Sequence, residues 1–569
     1  MIRKLDKRHN TIQGTRCAFI LLRSLNLRPL GLWIKGWTLQ VSSLWGPWEP
    51  LKAFIARAGF ILLCILLTGF MLRFNNLSER SLWTDEFFTF FESTGHGVDI
   101  KNFLDNISSQ QPPKLLTARK FKVFLKPDLD KSFKDVSLGL LYTDTHAPLY
   151  FWIMHLWIRV FRDSILTVRL FSLLMGMISV FLAYKVCGHL FTKNAALFSA
   201  LFTSISAFSV RYAQEARPYA LIIVLGLSSW WFVLRFQKQN RNSDAICFII
   251  FNCLGFYAHY FYIFIAASLF AYFTVANYRD KARLDKFYLA FLLSLLFFSP
   301  WAILLILKGY KFYLVEWLFG YPGFHIKLYY LFRGISRYIL ISSASKGLLP
   351  FLFLSGLLLF AYIGIRASKE ILTRYLKETS FCLVMFLAPL LGMFCMDIVQ
   401  QGALLRQERF WTFAFLGFIP LAGYFLDSGF SKTKPAAYLV IILMLISSFT
   451  VSKLQFGPAP KYASTWINKE SQGVVSAVIV YNIRSVVFSQ SYYLDDDIYL
   501  IPVSDQGQLD NAVKAVSGFA DKLFIARHYH HSDASLMNKA FLDTKELGEG
   551  FKFETEIKMD DISVSEFVK

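Results

Sequence analysis

Two adjacent carboxylates, Asp85 and Glu86, follow the first long apolar run of the chain by about a dozen residues. Adjacent acidic residues are most often part of a solvated surface, but these two lie between Leu82-Trp83 and Phe87-Phe88, a poor setting for solvation alone. A carboxylate held against a membrane surface could act as a general base toward an acceptor hydroxyl, while its neighbour orients a cation or a sugar. The pair is therefore the first candidate for catalysis.

A cationic turn lies between two later apolar runs, in the segment RYAQEARPYA at residues 211–220. It contains Arg211, Glu215 and Arg217. Pro218 suits the first turn of the following helix, so Arg217 would hold a cation beside backbone N–H groups that lack helical partners. Such a position favours an anion. The alternative interpretation is an Arg–Glu pair that anchors the headgroup region.

Three single residues are weaker candidates, each near the end of an apolar run. His146, in THAPLY, could donate to a phosphate oxygen, although a lone interfacial histidine is more often a structural hydrogen-bonding residue. Arg409, in RQERF, would be a snorkelling arginine if taken alone. His259, at a turn between two apolar runs, is weaker still. Three histidines lie near the C-terminus, His528, His530 and His531. A solvated cluster is the favoured interpretation of these residues, ahead of a metal site.

The composition indicates which elements must position these residues. The 569 residues are 55% hydrophobic, 17% aromatic and 17% charged, with a mean hydropathy of +0.43, whereas a soluble domain carries roughly 25% charged residues. This excludes a disordered chain, a coiled coil and an ordinary soluble enzyme, and predicts an all-α polytopic membrane protein. Runs of ~20 apolar residues predict eleven spans, at about 54–72, 166–188, 195–211, 217–235, 244–258, 259–277, 286–307, 347–365, 379–397, 409–427 and 435–453.

Basic residues orient these spans, because positively charged loops remain in the cytoplasm. Residues 1–53 carry nine lysines and arginines and are predicted to be a cytoplasmic segment. The later cytoplasmic loops are all basic only if residues 147–162 lie in the interface instead of spanning. This topology brings the polar segments described above to the outer face of the cytoplasmic membrane.

Charge and pattern distinguish residues 454–569 from the membrane domain, 54–453. The net charge of +21 divides into +26 for residues 1–453 and −5 for residues 454–569. Strand-like apolar runs at 474–483, 497–503 and 522–528 accompany helical spacing at 508–519 and 535–543. We therefore expect residues 454–569 to form a small extracytoplasmic α/β domain.

The segments WTDEFFT, THAPLYF and RYAQEARPYAL are similar to those of GT-C glycosyltransferases. They resemble in particular the bacterial relatives of dolichyl-phosphate-mannose protein mannosyltransferases and of the lipid A aminoarabinose transferase. Their order and spacing match as well, and the resemblance covers roughly residues 54–427. It implies a GT-C membrane fold with about eleven transmembrane helices and juxtamembrane helices in the first outer loop. It also implies that Asp85 is the catalytic carboxylate and that Glu86 is its partner near the donor or acceptor.

The same resemblance implies donor-phosphate or structural roles for His146, Glu215, Arg217 and Tyr219, and it matches Arg409 loosely. His259 joins the substrate-binding candidates because of its place at an outward turn. Where the aminoarabinose transferases carry a lysine before the proline, this chain has His146-Ala147-Pro148. Neither their sugar nor a metal requirement therefore carries over. The sequence identifies no cofactor and leaves a divalent metal open.

The expected reaction moves a sugar from a polyprenyl-phosphate donor to a lipid, polysaccharide or protein acceptor. One base would take the acceptor proton and cations would stabilise the departing phosphate, and a direct displacement with one carboxylate predicts inversion. The sequence has neither a Walker A loop nor a dinucleotide fingerprint, and no nucleic-acid partner is expected. A lipid-linked sugar transporter or flippase is an alternative, as is an enzyme of the O-antigen polymerase or ligase type.

Overall fold

The structure is a computed structural model that describes residues 49–109, 114–144, 146–309, 323–341, 349–454, 460–481, 484–503, 506–528, 546–547, 549–559 and 562–569. Contacts divide the chain into two units, residues 1–64 and residues 65–569. Most of the predicted cytoplasmic segment lies outside the described residues. So do Thr145, the predicted helix 535–543, His530 and His531.

Helices make up most of the described chain. Helix α1 (Glu49–Phe74) is followed by the helices of the first loop: α2 (Thr84–Thr94), α3 (Gly97–Ser109), α4 (Ala118–Lys122), α5 (Phe133–Tyr142) and α6 (Leu149–Phe161). The apolar helices after them are α7 (Ile165–Leu190), α8 (Lys193–Ile205), α9 (Ala207–Ala213), α10 (Tyr219–Gln239), α11 (Asn242–Ala258), α12 (Tyr262–Ala276) and α13 (Lys281–Lys308). The membrane region then continues with α14 (Phe324–Ile339), α15 (Leu349–Arg374), α16 (Leu376–Val399), α17 (Thr412–Lys432) and α18 (Lys434–Lys453).

Among the described residues, six helices are long and apolar enough to cross a membrane, or seven if the bent pair α8–α9 counts as one span. They are α7, α10, α13, α16, α17 with its preceding turn, and α18. Ten of the eleven predicted spans fall on single helices and the span 195–211 falls on the bent pair α8–α9. Helices α11 and α12, however, are shorter than the ~20 residues that a span needs. A mostly helical membrane protein with several spans is therefore confirmed, and the count of eleven stays a prediction. Helix α6, in the predicted interfacial segment 147–162, has 13 residues.

The C-terminal residues build a seven-stranded sheet together with one strand of the first loop, β1 (Leu116–Thr117). The other strands are β2 (Ser476–Tyr481), β3 (Tyr499–Val503), β4 (Lys522–His528), β5 (Glu546–Leu547), β6 (Phe551–Met559) and β7 (Ile562–Val568). The order is β1-β3-β2-β4-β7-β6-β5, and β3, β2 and β4 are parallel. Helices α19 (Pro460–Glu470), α20 (Arg484–Tyr493) and α21 (Gln506–Ser517) accompany them.

The three apolar runs predicted as strands are β2, β3 and β4, and their continuous apolar character suits parallel strands buried on both faces. The predicted helix 508–519 corresponds to α21, whereas α19, α20 and β5–β7 have no counterpart in the sequence prediction. A domain boundary at residue 454 stays a prediction, because residues 65–569 belong to one unit of contacts.

The first loop and the C-terminal residues are packed together. Strand β1 pairs antiparallel with β3, with Leu116 opposite Leu500. Between α2 and α20, the ring of Phe87 lies 5.7 Å from that of Tyr492 and 6.4 Å from that of Tyr493. The Tyr493 hydroxyl also accepts the N–H of Leu82 at 2.8 Å. The C-terminal residues therefore contact the helix that carries Asp85 and Glu86.

Candidate active site

Helix α2 begins at the predicted catalytic pair and places both acids in its first turn. Trp83 is the N-cap, and Glu86 Oε2 accepts the N–H of Trp83 at 3.3 Å. Carboxylates at this end of a helix are favoured by the helix dipole. Because consecutive helical residues point about 100° apart, Asp85 and Glu86 meet different surroundings. The helix ends at Gly95, whose φ of +87° suits a left-handed C-terminal cap.

Glu86 is completely buried and holds three segments together. Arg169 of α7 donates from Nε to Oε1 at 2.8 Å and from Nη2 to Oε2 at 2.6 Å. The N–H of Ala216, in the segment 211–220, donates to Oε1 at 2.8 Å. Two-point pairing of a guanidinium with a carboxylate is among the stronger polar contacts in proteins. Glu86 thus joins α2, α7 and the cationic turn in this structure, and a contact with substrate stays a prediction.

Asp85 lies at the edge of this arrangement, with 22% of its side chain exposed. Its Oδ2 is paired with Nη1 of Arg409, which belongs to the 3₁₀ turn Glu408–Trp411 before α17. Its backbone carbonyl accepts from Nη1 of Arg217 at 2.9 Å. The carboxylate and two of the predicted cations are therefore brought together from segments far apart in the sequence.

A polar chain runs from Arg217 through His146 to Asp144. Arg217 Nη2 lies 2.6 Å from His146 Nε2, and His146 Nδ1 lies 2.7 Å from Asp144 Oδ1. A guanidinium can only donate, so Nε2 accepts and the ring proton of a neutral imidazole is on Nδ1, where it donates to Asp144. Both ring nitrogens are engaged in this structure. The predicted contact of His146 with a donor phosphate stays a prediction.

At the cationic turn, burial and the neighbouring charges shift the pKa values of the ionisable groups in opposite directions. Burial lowers the pKa of Arg217, but Asp85, Tyr219 and Asp144 outweigh it and the net pKa is raised. Burial raises the pKa of Glu215, and the neighbouring Arg211 opposes that rise. Arg217 is only 1% exposed, so the site holds a fixed cation behind the Asp85 backbone.

Glu215 pairs with Arg211, which donates from Nε to its Oε1 at 3.1 Å and from Nη1 to Glu408 Oε2 at 2.5 Å. The Arg–Glu pair that the sequence left as an alternative is therefore present. Tyr219 is buried, with its ring 5.1 Å from that of Tyr212.

His259 Nδ1 accepts the N–H of Phe261 at 3.0 Å. The His259 ring lies 5.0 Å from that of Phe413, and it is within electrostatic range of His146, Arg217 and Arg409. Asp85, His146, Arg217 and Arg409 thus form one connected group. Glu215 pairs with Arg211, which also bonds to Glu408 beside Arg409. His259 borders the group.

Three further residues contribute to the site although the sequence interpretation did not select them: Arg169, Asp144 and Thr89. Arg169 is a charge inside the predicted span 166–188, a feature that usually marks a pathway or a site. Asp144 precedes His146 by two residues, so its pairing with the ring is local. Thr89, one turn after Asp85 on α2, donates to the Ala216 carbonyl at 2.8 Å.

The sequence leaves a divalent metal open, and the described part of the chain bears on that possibility. There, no group of three or more His, Cys, Asp and Glu side chains is arranged to hold a metal ion.

Residues 145–304 match the family model described as dolichyl-phosphate-mannose-protein mannosyltransferase. No curated protein matches the chain. Among solved structures, ArnT from Cupriavidus metallidurans bound to undecaprenyl phosphate is similar at 12% identity, over 92% of this chain and 98% of that chain, with a TM-score of 0.47. The archaeal oligosaccharyltransferase AglB from Archaeoglobus fulgidus, in complex with an inhibitory peptide and a dolichol-phosphate, is similar at 13% identity, over 83% of this chain and 69% of that chain, with a TM-score of 0.45.

The matched residues 145–304 contain His146, Glu215 and Arg217 of the site. The match includes two of the three motif segments from which the resemblance was drawn, THAPLYF and RYAQEARPYAL, whereas WTDEFFT lies before the matched residues. The chain is thus similar, over these residues, to the dolichyl-phosphate-mannose-protein mannosyltransferases, and its resemblance to the GT-C glycosyltransferases is confirmed.

Proposed function

We propose that the protein is a membrane glycosyltransferase that moves a sugar from a polyprenyl-phosphate donor to a lipid, polysaccharide or protein acceptor, with Asp85 as the general base. The observation that carries this proposal is the contrast between two neighbouring carboxylates. Glu86 is completely buried, with hydrogen bonds to both of its oxygens. Asp85 keeps 22% of its side chain exposed and lies beside two arginines.

In the proposed reaction the acceptor O–H gives its proton to the Asp85 carboxylate. The acceptor oxygen bonds to the anomeric carbon of the sugar while the bond from that carbon to the phosphate oxygen breaks. The electron pair leaves with the polyprenyl phosphate, and a single displacement of this kind inverts the anomeric centre. Arg409 and Arg217 are the cations placed to stabilise the charge that develops on the phosphate.

The pairing of Asp85 with Arg409 suggests how the base is released. While Asp85 is paired with Arg409, its Oδ2 is engaged by the guanidinium and is not available to an acceptor proton. A donor phosphate that approaches Arg409 would compete for the same guanidinium. Donor binding would therefore free the Asp85 carboxylate at the moment when a base is needed.

The proposed location is the cytoplasmic membrane, with residues 1–53 in the cytoplasm and the site and residues 454–569 outside. The basic loops between the predicted spans support this orientation. A donor that carries its sugar on a lipid suits this location, since such an enzyme uses no nucleotide sugar at the outer face.

The test is the substitution Asp85→Asn, which keeps the shape of the side chain and removes its basicity. Transfer should fall by at least about 100-fold, in line with the loss of a general base, while the protein still inserts and folds. The matched control is Asp130→Asn, an exposed carboxylate of the same loop, which should leave transfer unchanged.

The readout is mass spectrometry of envelope glycans and glycolipids from a deletion strain complemented with each variant. It also identifies the sugar and the acceptor. Wild-type levels of the missing glycan with Asp85→Asn would remove the proposed mechanism.

A further inference from the structure

Helix α14 (Phe324–Ile339) lies within a stretch that the sequence interpretation treats as an outer loop, residues 308–346, and it is fixed firmly to its neighbours. Lys327 is buried and donates from Nζ to the carbonyls of Asp397 and Gly402 at 2.8 and 3.1 Å. The Tyr338 hydroxyl donates to the carbonyl of Trp411 at 2.5 Å. These contacts hold one face of α14 against the segment that leads to Arg409.

Another face of α14 is apolar and exposed. Phe332 is 79% exposed, Tyr329 59%, Phe324 58% and Leu328 41%. Single exposed apolar residues are ordinary, but four on one helix form a continuous surface. In a membrane protein such a face is suited to lipid at the interface, where the aromatic side chains of amphipathic helices insert. Helix α14 therefore offers a place for the chains of a lipid.

Beside this face, three arginines converge on one carboxylate, that of Glu408. Arg211 Nη1 lies 2.5 Å from Oε2 and Arg333 Nη2 lies 3.6 Å from Oε1, and Arg337 is paired with the same Oε1. Arg333 and Arg337 are one helical turn apart and so share a side of α14. Arg211 also pairs with Glu215, so three guanidinium groups meet two carboxylates.

The arginines of this cluster repel one another. Burial, followed by the charges of Arg333 and Arg211, lowers the pKa of Arg337 to about 9. The Arg333 side chain is 39% exposed, so the cluster is open to a ligand. A further anion would relieve this repulsion, and a phosphate accepts from several guanidinium groups at once.

We propose that Arg211, Arg333 and Arg337 form a second phosphate site, which binds the phosphate group of a membrane lipid whose chains lie over the apolar face of α14. The site is separate from the contact of Arg217 with His146, because it is built on another helix and on Glu408. It is nevertheless adjacent to the reaction centre, since Glu408 directly precedes Arg409 in the chain.

The experiment measures lipid binding to the full-length protein by native mass spectrometry, with phosphatidic acid as the probe and phosphatidylcholine as the background lipid. Wild-type protein should retain phosphatidic acid, and the double variant R333Q/R337Q should bind it at least tenfold more weakly. The matched control R366Q/K369Q removes the same charge from exposed positions of α15 and should bind as the wild type does. Unchanged binding in R333Q/R337Q, or an equal loss in the control, overturns the proposal.

A second arm adds inorganic phosphate as a competitor of phosphatidic acid. If phosphate prevents the binding of phosphatidic acid at an equal concentration, the site binds free anions and the lipid assignment is overturned. If R333Q/R337Q does not fold, the single variant Arg333→Gln, at the most exposed arginine of the cluster, is used instead. It should weaken binding severalfold, and unchanged binding overturns the proposal. Transfer is not needed in either arm, so a failure of the proposed glycosyltransferase reaction would leave these results readable.

Discussion

A second acid, Glu92, lies near Asp144 in the polar chain that links Arg217, His146 and Asp144. Glu92 is 1% exposed, and its Oε1 accepts from the Thr143 hydroxyl at 2.7 Å. Burial, and then the charge of Asp144, raises the pKa of Glu92 well above its ordinary value. Burial therefore favours the protonated form of Glu92 in the folded protein.

This protonation predicts a pH dependence of stability. The unfolded chain releases the Glu92 proton near its ordinary pKa of 4.5, whereas the folded chain keeps it to higher pH. The folded state binds more protons in that range, so the free energy of unfolding falls as pH rises from 4.5 toward the raised value. Glu92→Gln cannot lose a proton and keeps an acceptor for Thr143, so this part of the fall should disappear.

The measurement for Glu92 is the thermal unfolding midpoint in detergent between about pH 5 and about pH 8, the range in which such linkage acts. Glu554→Gln, an exposed position of β6, is the control and should keep the wild-type slope. A slope for Glu92→Gln that equals the wild-type slope would show that Glu92 is ionised in the folded protein.

At the scale of elements, the contact between α2 and α7 depends on the pair of Glu86 and Arg169. Arg169 is 2% exposed and, besides Glu86, donates to the carbonyls of Leu77, Arg80 and Ser81 at 2.8–3.0 Å. One side chain from the interior of an apolar helix thus fixes the loop that leads to Asp85. The position of the predicted base depends on a residue whose guanidinium is bonded to Glu86 and to three backbone carbonyls.

Arg169→Met should therefore destabilise the protein by about 3–5 kcal/mol, since it leaves Glu86 as a buried charge without its cation. Arg283→Met is the control, because its partner Asp280 is 45% exposed and a surface pair contributes about 1 kcal/mol or less. The free energy of unfolding in denaturant, measured in detergent, compares the two. A loss below about 1 kcal/mol for Arg169→Met would mean that the Glu86 pair contributes little to holding α2.

Local patterns in the sequence predicted the contacts that depend on turns and helix ends. The segments with Asp85, His146, Arg217 and Arg409 were each expected at the same face, and the structure brings these four residues together, with Arg217 on the backbone carbonyl of Asp85. The partner of Glu86, Arg169, lies 83 positions away in an apolar run. The periodicity of that run predicts a membrane helix but does not indicate which residue its arginine pairs with. Arg333 and Arg337 were not selected because they lie between the predicted spans 286–307 and 347–365, where the sequence analysis assigned no element.

For the whole molecule, the packing of the C-terminal residues against α2 is the main difference from the sequence prediction. The sequence predicts a separate extracytoplasmic α/β domain over residues 454–569. The structure shows aromatic contacts from α20 to α2, including Phe91 with Phe488 at 6.2 Å. These residues therefore also support the helix that carries the predicted base, whatever they contribute to acceptor binding.

Deleting residues 460–569 should reduce transfer at least about tenfold, and the uncovered phenylalanines of α2 should make the first loop sensitive to protease. Asp496→Asn is the control: it removes partly exposed ion pairs with Lys122 and Arg119, so transfer should change little. Limited proteolysis and the envelope glycan assay give the two readouts. A deletion that loses transfer while the first loop stays resistant would favour a role in acceptor binding alone.

The pairing of β1 with β3 also has a consequence for biosynthesis. Leu500 is synthesised several hundred residues after its partner Leu116, so at about 5–20 residues per second the interval is on the order of 20–80 seconds. During that time the first loop lacks β3 and the aromatic helix α20, which later pack against it. A chain whose synthesis stops before α20 and β3 would therefore carry Asp85 on a helix without these contacts.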